Sequence, residues 1–563
     1  MKGIIISPRV LFIFTGLIST IWFLVRVIPK PSRAAYPCMK VSAPLMSGFV
    51  IYLLTLGGLS LVLKKVWKNV SHAKYIAAGS LSILAMVLLA INLSSDTSLS
   101  FAQGNSKSPI DEPNTAIGNP AGINPGRVVW AWNPYATNEN CKNAIENNDW
   151  YFNPVNADQK IISDMFSASI KKIGGNNDLK KSWDAIFRFH NKKKNKMDKG
   201  YSPGEKIFIK TNQGTATWVL NQSDKDKGYY FPGTLKPEES RRIANFAACE
   251  TSPYIVLELL RELVNVYGVQ QEDISVGDPM TPTYGHNYDA WHKEFPNVVY
   301  IDRVSEKFGR TVIKTTDQDL LFYSDKTQSD KLYTVIEEAD YLINCANLKP
   351  HGHAGISLTA KNHFGSQARK GASHLHYSLI ANRSKGVENN GGYNKYRVQV
   401  DIMGSKYLGQ NTLLYIVDGL FGGGSDETKQ PVKYFMAPFN NDWSSSIFIS
   451  QDQVALESVC YDFLRTEWNG INKHNPANNA FETAPNMYGV EDYLHQTADP
   501  KNWPKGITYD PDNSGKPLAS LGVHEHWNNP VDKQYSGNLG IKGGITLITI
   551  PETLVKTASK GKN

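Results

Sequence analysis

The sequence predicts an α/β domain, a largely parallel sheet flanked by helices, preceded by an N-terminal helical transmembrane module. Three observations carry this expectation. Short apolar runs of strand composition recur between segments with helical spacing, the pattern of strands joined by helices. Those runs end in polar residues, as strands do where a parallel sheet opens on a ligand. All of the basic excess lies in the first 95 residues, among long uncharged runs.

The N-terminal segment comes first. Residues 1–95 hold ten Lys or Arg and no Asp or Glu, which leaves 50 basic and 52 acidic groups for 96–563. The overall charge of +8 is therefore local, and it gives no support to nucleic-acid binding. Val41–Leu63 is uncharged over 23 residues and Tyr75–Ser95 over 21. About 20 apolar residues cross a hydrocarbon core, so both runs are long enough to span. Val10–Val25 is shorter, with Arg9 and Arg26 placed to snorkel. The module is thus read as two or three helices, about 10–28, 41–63 and 75–95. Lys64, Lys65, Lys68 and Lys74 precede the last run, and Asp96, Lys107, Asp111 and Glu112 follow it. That contrast places the large domain outside the cytoplasm, on the periplasmic side, as an integral membrane protein.

Residues 96–126, rich in Ser, Asn, Pro and Gly, read as a flexible linker, and 127–563 as the soluble domain. Strand runs follow at Arg127–Trp132, Glu205–Asn212, Asp273–Asp278, Asp340–Lys349, Thr412–Gly419 and Ser445–Ser450. A helix is expected after Ser252, with Pro253 in its first turn and Gly268 as its stop. Another follows Ser450, with Leu456, Val459, Cys460 and Phe463 on one stripe. The Gly-rich stretch Phe421–Asp426 lacks the spacing and lysine of a phosphate loop and reads as a turn. Five cysteines without a CxxC pair give no zinc-ribbon or iron–sulfur motif; those of the domain are read as buried thiols.

The segment Leu348–His376 holds five of the thirteen histidines, four basic residues and no carboxylate. His351/His353 and His374/His376 are His-x-His pairs, and a third pair is His524/His526. In extended chain both rings of such a pair face one way, so His351, His353, His374 and His376 could hold a divalent transition metal. The other reading is an anion site. Lys349, His351, Lys361 and Asn362 supply donors, and "GISLTAKNHFG" can form a short helix beginning near Gly355 and Ile356, whose N-terminus favours phosphate or carboxylate. Lys361 would then stabilise negative charge, His351 would move a proton, and Asp278 would orient it. Lys210, Asn212 and Asp418, at other strand ends, complete the expected ligand-binding set. A purely structural polar cluster is the remaining reading.

At "INCANLKPHGHAGISLTAKNHFG" the chain resembles the domain-of-unknown-function family 362 (DUF 362). The resemblance rests on Lys349, His351, Thr359, Lys361, Asn362 and Phe364-Gly365, with further matches at Ile209–Asn212, Ser275–Pro279 and Ser450–Val459. It covers roughly 127–534, and the tail "GVHEHWNNPVDKQY" looks like a long membrane-anchored bacterial branch. The resemblance implies no agreed reaction. Some members carry ferredoxin-type cluster motifs, whose cysteines this chain lacks.

The functional expectation is a membrane-anchored protein whose domain binds, and could act on, a small anionic ligand through a Lys/His/Asn cleft. The alternative is a non-catalytic ligand- or metal-binding module of a cell-envelope complex, so whether the chain is an enzyme stays open.

Overall fold

The computed structural model describes residues 111–555 except 144–148, 195–196, 215–221, 231–247, 304–305, 381–391, 425–429, 469–486 and 488. Near the N-terminus it describes only Leu17, Thr20, Ile21, Trp22 and Val25, all helical. The chain forms two compact units, Met1–Gln103 and Gly104–Asn563. The runs Val41–Leu63 and Tyr75–Ser95, and most of 10–28, lie outside the described residues. Among the described residues no helix is long and apolar enough to cross a membrane.

The described residues of the second unit contain fifteen strands: β1 Ile117–Gly118, β2 Arg127–Trp132, β3 Ile207–Lys210, β4 Ile274–Gly277, β5 Val299–Asp302, β6 Thr311–Val312, β7 Thr315–Phe322, β8 Ser329–Tyr333, β9 Tyr341–Asn347, β10 Pro350–His351, β11 Gly355–Ile356, β12 Thr412–Gly419, β13 Ser446–Ser450, β14 Val523–His524 and β15 Thr546–Ile550. Nine of them form one sheet in the order β15-β2-β13-β12-β9-β3-β4-β5-β6. All of these run parallel except β13, which is antiparallel to β12 and β2. The expected largely parallel sheet is therefore present. β13 is the exception because the chain reverses directly from β12 into it, with no intervening helix among the described residues. β15, at the far end of the chain, closes the β2 edge.

Both faces of the sheet are covered, which parallel strands need. Along β2, Val129 and Ala131 join one core while Val128 and Trp130 join another. The first face is covered by α1 Gln159–Gly174, α2 Leu179–Lys193 and α3 Pro253–Leu260. Asp158 and Asp178 cap the first two by accepting the Ile161 and Lys181 N–H groups. α3 continues as a π-helical turn over Arg261–Tyr267 and stops at Gly268, whose φ of 100° suits glycine. The second face receives α4 Val398–Gly404, α5 Gln453–Glu467 and α6 Glu491–Ala498. In α5 the expected stripe Leu456, Val459, Cys460 and Phe463 is fully buried. The hairpin β7–β8 adds Leu321 and Leu332 to a third core beside β3 and β5.

Part of the segment expected as a linker belongs to this unit. β1 pairs with β14, Ile117 opposite His524, and the Asn114 N–H donates to the His526 carbonyl. The Ala121 N–H donates to Asp452 at the start of α5. From Asp111 onward the chain is part of the domain rather than a tether. The four described cysteines, Cys141, Cys249, Cys345 and Cys460, are free and buried.

Candidate functional site

The carboxyl ends of β3, β4, β9 and β12 are polar in sequence, and in the fold their side chains meet. Lys210 is the last residue of β3, and its Nζ stands 3.1 Å from Asp278 Oδ2, one residue beyond β4. Asp278 also accepts the Gln213 N–H at 2.9 Å and the Met280 N–H at 3.0 Å. Burial lowers the affinity of the Lys210 ammonium for its proton, and the Asp278 carboxylate opposes that. Asn362 ties these groups together. Its Oδ1 accepts from Lys210 Nζ (3.0 Å) and Asn212 Nδ2 (3.2 Å), and its Nδ2 donates to Asn344 Oδ1 (2.8 Å) on β9. Gly365 is small for a reason: a Cβ there would come within 2.6 Å of Asp278 Oδ1.

A second buried group lies at the ends of β9 and β12. Lys349 Nζ donates to the Cys249 carbonyl at 2.5 Å. Asp418 Oδ2 accepts the Ser252 hydroxyl at 2.6 Å and the Ser252 N–H at 3.2 Å, so Ser252 ties α3 to β12 instead of capping α3 with its side chain. Burial raises the Asp418 carboxyl above its ordinary range. Lys210, Asp278, Lys349, His351, Asn362 and Asp418 all have 3% exposure or less. Lys210, Asp278 and Asn362 are tied to one another, while Lys349 and Asp418 hold Cys249 and Ser252; only Asn212 and Lys361 of the expected anion-site set are half-buried.

The short helix expected from Gly355 starts later. Gly355 and Ile356 form β11, which pairs with Pro350 and His351 of β10. The helix itself is Thr359–Asn362, followed by a 3-10 turn over His363–Ser366. Its N-terminal groups meet a carboxylate from within the protein: Glu457 Oε1, on α5, accepts the Thr359 hydroxyl at 2.5 Å and the Ala360 N–H at 2.6 Å. The anion expected at this helix N-terminus is therefore Glu457. The sequence did not reveal it, because Glu457 is almost a hundred residues away and reads there as one polar position of a helix.

Lys361 points from the same helix toward the histidines. Its Nζ lies 3.9 Å from the centre of the Phe364 ring, and Phe364 stacks at 6.1 Å on His376. His376 stacks on His353 at 5.0 Å, and His351 is 5.9 Å from His353 and 6.3 Å from His376. Burial, and then the nearby Lys361 charge, push the His376 imidazole down to about 3, so it is neutral at physiological pH. His374 makes a separate contact. Its Nε2 is 2.5 Å from Asp330 Oδ2, while Arg369 Nε holds the other oxygen at 2.5 Å. At His351 the Nδ1 accepts the N–H groups of His353 (3.0 Å) and Ala354 (3.2 Å). A neutral His351 therefore carries its proton on Nε2.

The four histidines expected to share a metal do not form a compact ligand group. Among the described residues, the group of three or more whose ligand atoms all lie within 4.8 Å is Asp111, His524 and His526. Asp111 and His495, which touch there, were missed because one was assigned to a linker and the other stood alone; the His524/His526 pair was the available signal.

The fold and this gathering of Lys, Asn and His at the carboxyl ends of its parallel strands define an α/β protein with a polar centre between its central strands and the loops that follow them. Residues 235–462 match the family described as domain of unknown function (DUF362). The matched segment contains Lys349, His351, Lys361, Asn362, Asp418 and Glu457, and leaves out Lys210, Asn212 and the Asp111 group. A comparison with curated proteins found no match.

Proposed function

We propose that this is a membrane-anchored protein whose α/β domain binds a small anionic ligand, with Lys361 and His351 as the groups that meet it. The observation that carries this reading is the polarity of His351. Two backbone N–H groups fill its Nδ1, so a neutral ring carries its proton on Nε2, within the histidine cluster that Lys361 approaches through Phe364. Two donors of this kind suit phosphate or carboxylate better than a metal, which needs a bare ring nitrogen. In an enzyme, Lys361 would stabilise negative charge and His351 Nε2 would deliver a proton. Asp278, buried and held by Lys210, would position Asn362 and its loop without touching the ligand.

The alternative, a non-catalytic binding module of a cell-envelope complex, draws on the same burial: Lys210, Lys349 and Asp418 hold loops together. Titration of the full chain in detergent with small phosphates and carboxylates tests the proposal. A charge-assisted contact contributes about 1.5 to 3 kcal/mol, so Lys361→Ala should weaken the bound anion roughly 10- to 150-fold. Equal affinity in parent and variant would remove Lys361 from the site.

A further inference from the structure

Away from this centre, three histidines gather around one carboxylate. His524 is in β14, His526 lies two residues on, His495 is in α6, and Asp111 is in the segment leading to β1. Asp111 Oδ2 is 2.5 Å from His495 Nε2, 3.2 Å from His524 Nε2 and 3.9 Å from His526 Nε2. The two rings of the His-x-His pair are buried, with centroids 4.8 Å apart.

The far side of each ring fixes which nitrogen carries the proton. Ser458 Oγ donates its only hydrogen to the Val454 carbonyl at 2.7 Å and contacts His524 Nδ1 at 2.8 Å. His524 Nδ1 must therefore be the donor, which leaves a lone pair on Nε2 facing Asp111. His526 Nδ1 is 2.8 Å from Asp462 Oδ1, a carboxylate that can only accept. Its Nε2 then faces Asp111 and, at 3.1 Å, Glu491 Oε1, without the alignment of a hydrogen bond. Acceptors thus face acceptors at a buried point. One divalent ion among these atoms, which all lie within 4.8 Å of one another, would meet both ring nitrogens and the carboxylate at once.

We propose that Asp111 Oδ2, His524 Nε2 and His526 Nε2 form a binding site for a divalent first-row transition ion of the zinc type. Ligands about 2.0–2.2 Å from zinc in a tetrahedron stand about 3.3–3.6 Å apart, between the 3.2 and 3.9 Å found from Asp111 to the two rings. Ser458 and Asp462 orient the rings from behind, as outer partners of metal-bound histidines do. His495 is the hydrogen-bond donor that holds Asp111. Asp111, Glu491 and Asp462 against the single Arg465 beside Asp462 leave an excess of negative charge for the ion to neutralise. This inference is independent of the anion site, since none of its residues belongs to that cluster.

The test is metal analysis of the full chain purified without chelator, followed by stripping and titration with Zn²⁺ alone. One equivalent should bind, and Zn²⁺ should raise the melting temperature of the parent. Asp111→Ala, at a partly exposed position, should weaken Zn²⁺ at least tenfold and abolish the thermal shift, while His353→Ala should change neither. If the stripped parent takes up no stoichiometric Zn²⁺, or Asp111→Ala binds it as the parent does, the cluster is an ion-pair network and the proposal fails. Loss of the ion in His353→Ala with retention in Asp111→Ala would assign the metal to the other histidines and equally overturn it.

Discussion

Lys210 has no exposed surface, and its ammonium is matched by Asp278 and by Asn362 Oδ1. Removing one member of such a pair leaves the other charge buried, which typically costs about 3–5 kcal/mol, while replacing both can be nearly neutral. Lys210→Met should therefore lower the unfolding free energy by about 3–5 kcal/mol in urea titrations. Lys210→Met with Asp278→Asn should recover much of that loss; no recovery would show that Lys210 acts mainly through Asn362. At this scale the sequence exposed the members of the cluster but not their roles. Lys210, Asp278, Asn362 and Asp418 stood out because strand ends in parallel sheets gather polar groups. Their burial, and the pairing of Lys349 with a carbonyl, depend on loops folding back across the sheet, which no local pattern announces. The tautomer of His351 is set by a similarly local feature: the turn at Gly352 directs backbone N–H groups onto Nδ1, a detail that His-x-His spacing does not contain.

Elements were more legible than contacts. Arg127–Trp132 and Thr412–Gly419 are strands with the expected bounds, because a run of five apolar residues packed on both faces of the sheet leaves little choice of conformation. α1 and α2 were overlooked although Asp158 and Asp178 carry N-cap signals. β1 and β14 are two residues each, too short to leave a period, and they are what binds residues 111–118 to the domain. That gives a prediction about where the domain begins. A fragment starting at Asn119, as the linker reading would choose, lacks β1, the Asn114 bonds to His526 and Gln534, and the Asp111 contacts to His495 and His524. At about 0.5–1.5 kcal/mol for each net hydrogen bond, it should be about 2–5 kcal/mol less stable than a fragment starting at Gly104. Equal urea midpoints for the two fragments would show that the β1–β14 pair contributes nothing.

For the whole molecule the governing fact is the division of charge: ten basic and no acidic residues in 1–95, then a near balance in the rest. Two uncharged runs of 23 and 21 residues lie within that basic segment, each long enough for a hydrocarbon core of about 30 Å. On this basis the full chain should remain with membranes after carbonate washing, while a fragment starting at Gly104 should stay in the aqueous fraction. Recovery of the full chain in the aqueous fraction would end the membrane proposal. Sidedness needs a separate measurement, because basic residues flank the runs on both sides and the positive-inside rule discriminates only through the local contrast across 75–95. Cys141, Cys249, Cys345 and Cys460 are buried, so with Cys38→Ser the native chain offers little reactive thiol background. A Ser98→Cys substitution in that background should then be labelled by a membrane-impermeant thiol reagent in cells with a permeabilised outer envelope. That outcome puts the domain, with the proposed anion and metal sites, on the periplasmic side. Labelling only after lysis would put both sites in the cytoplasm.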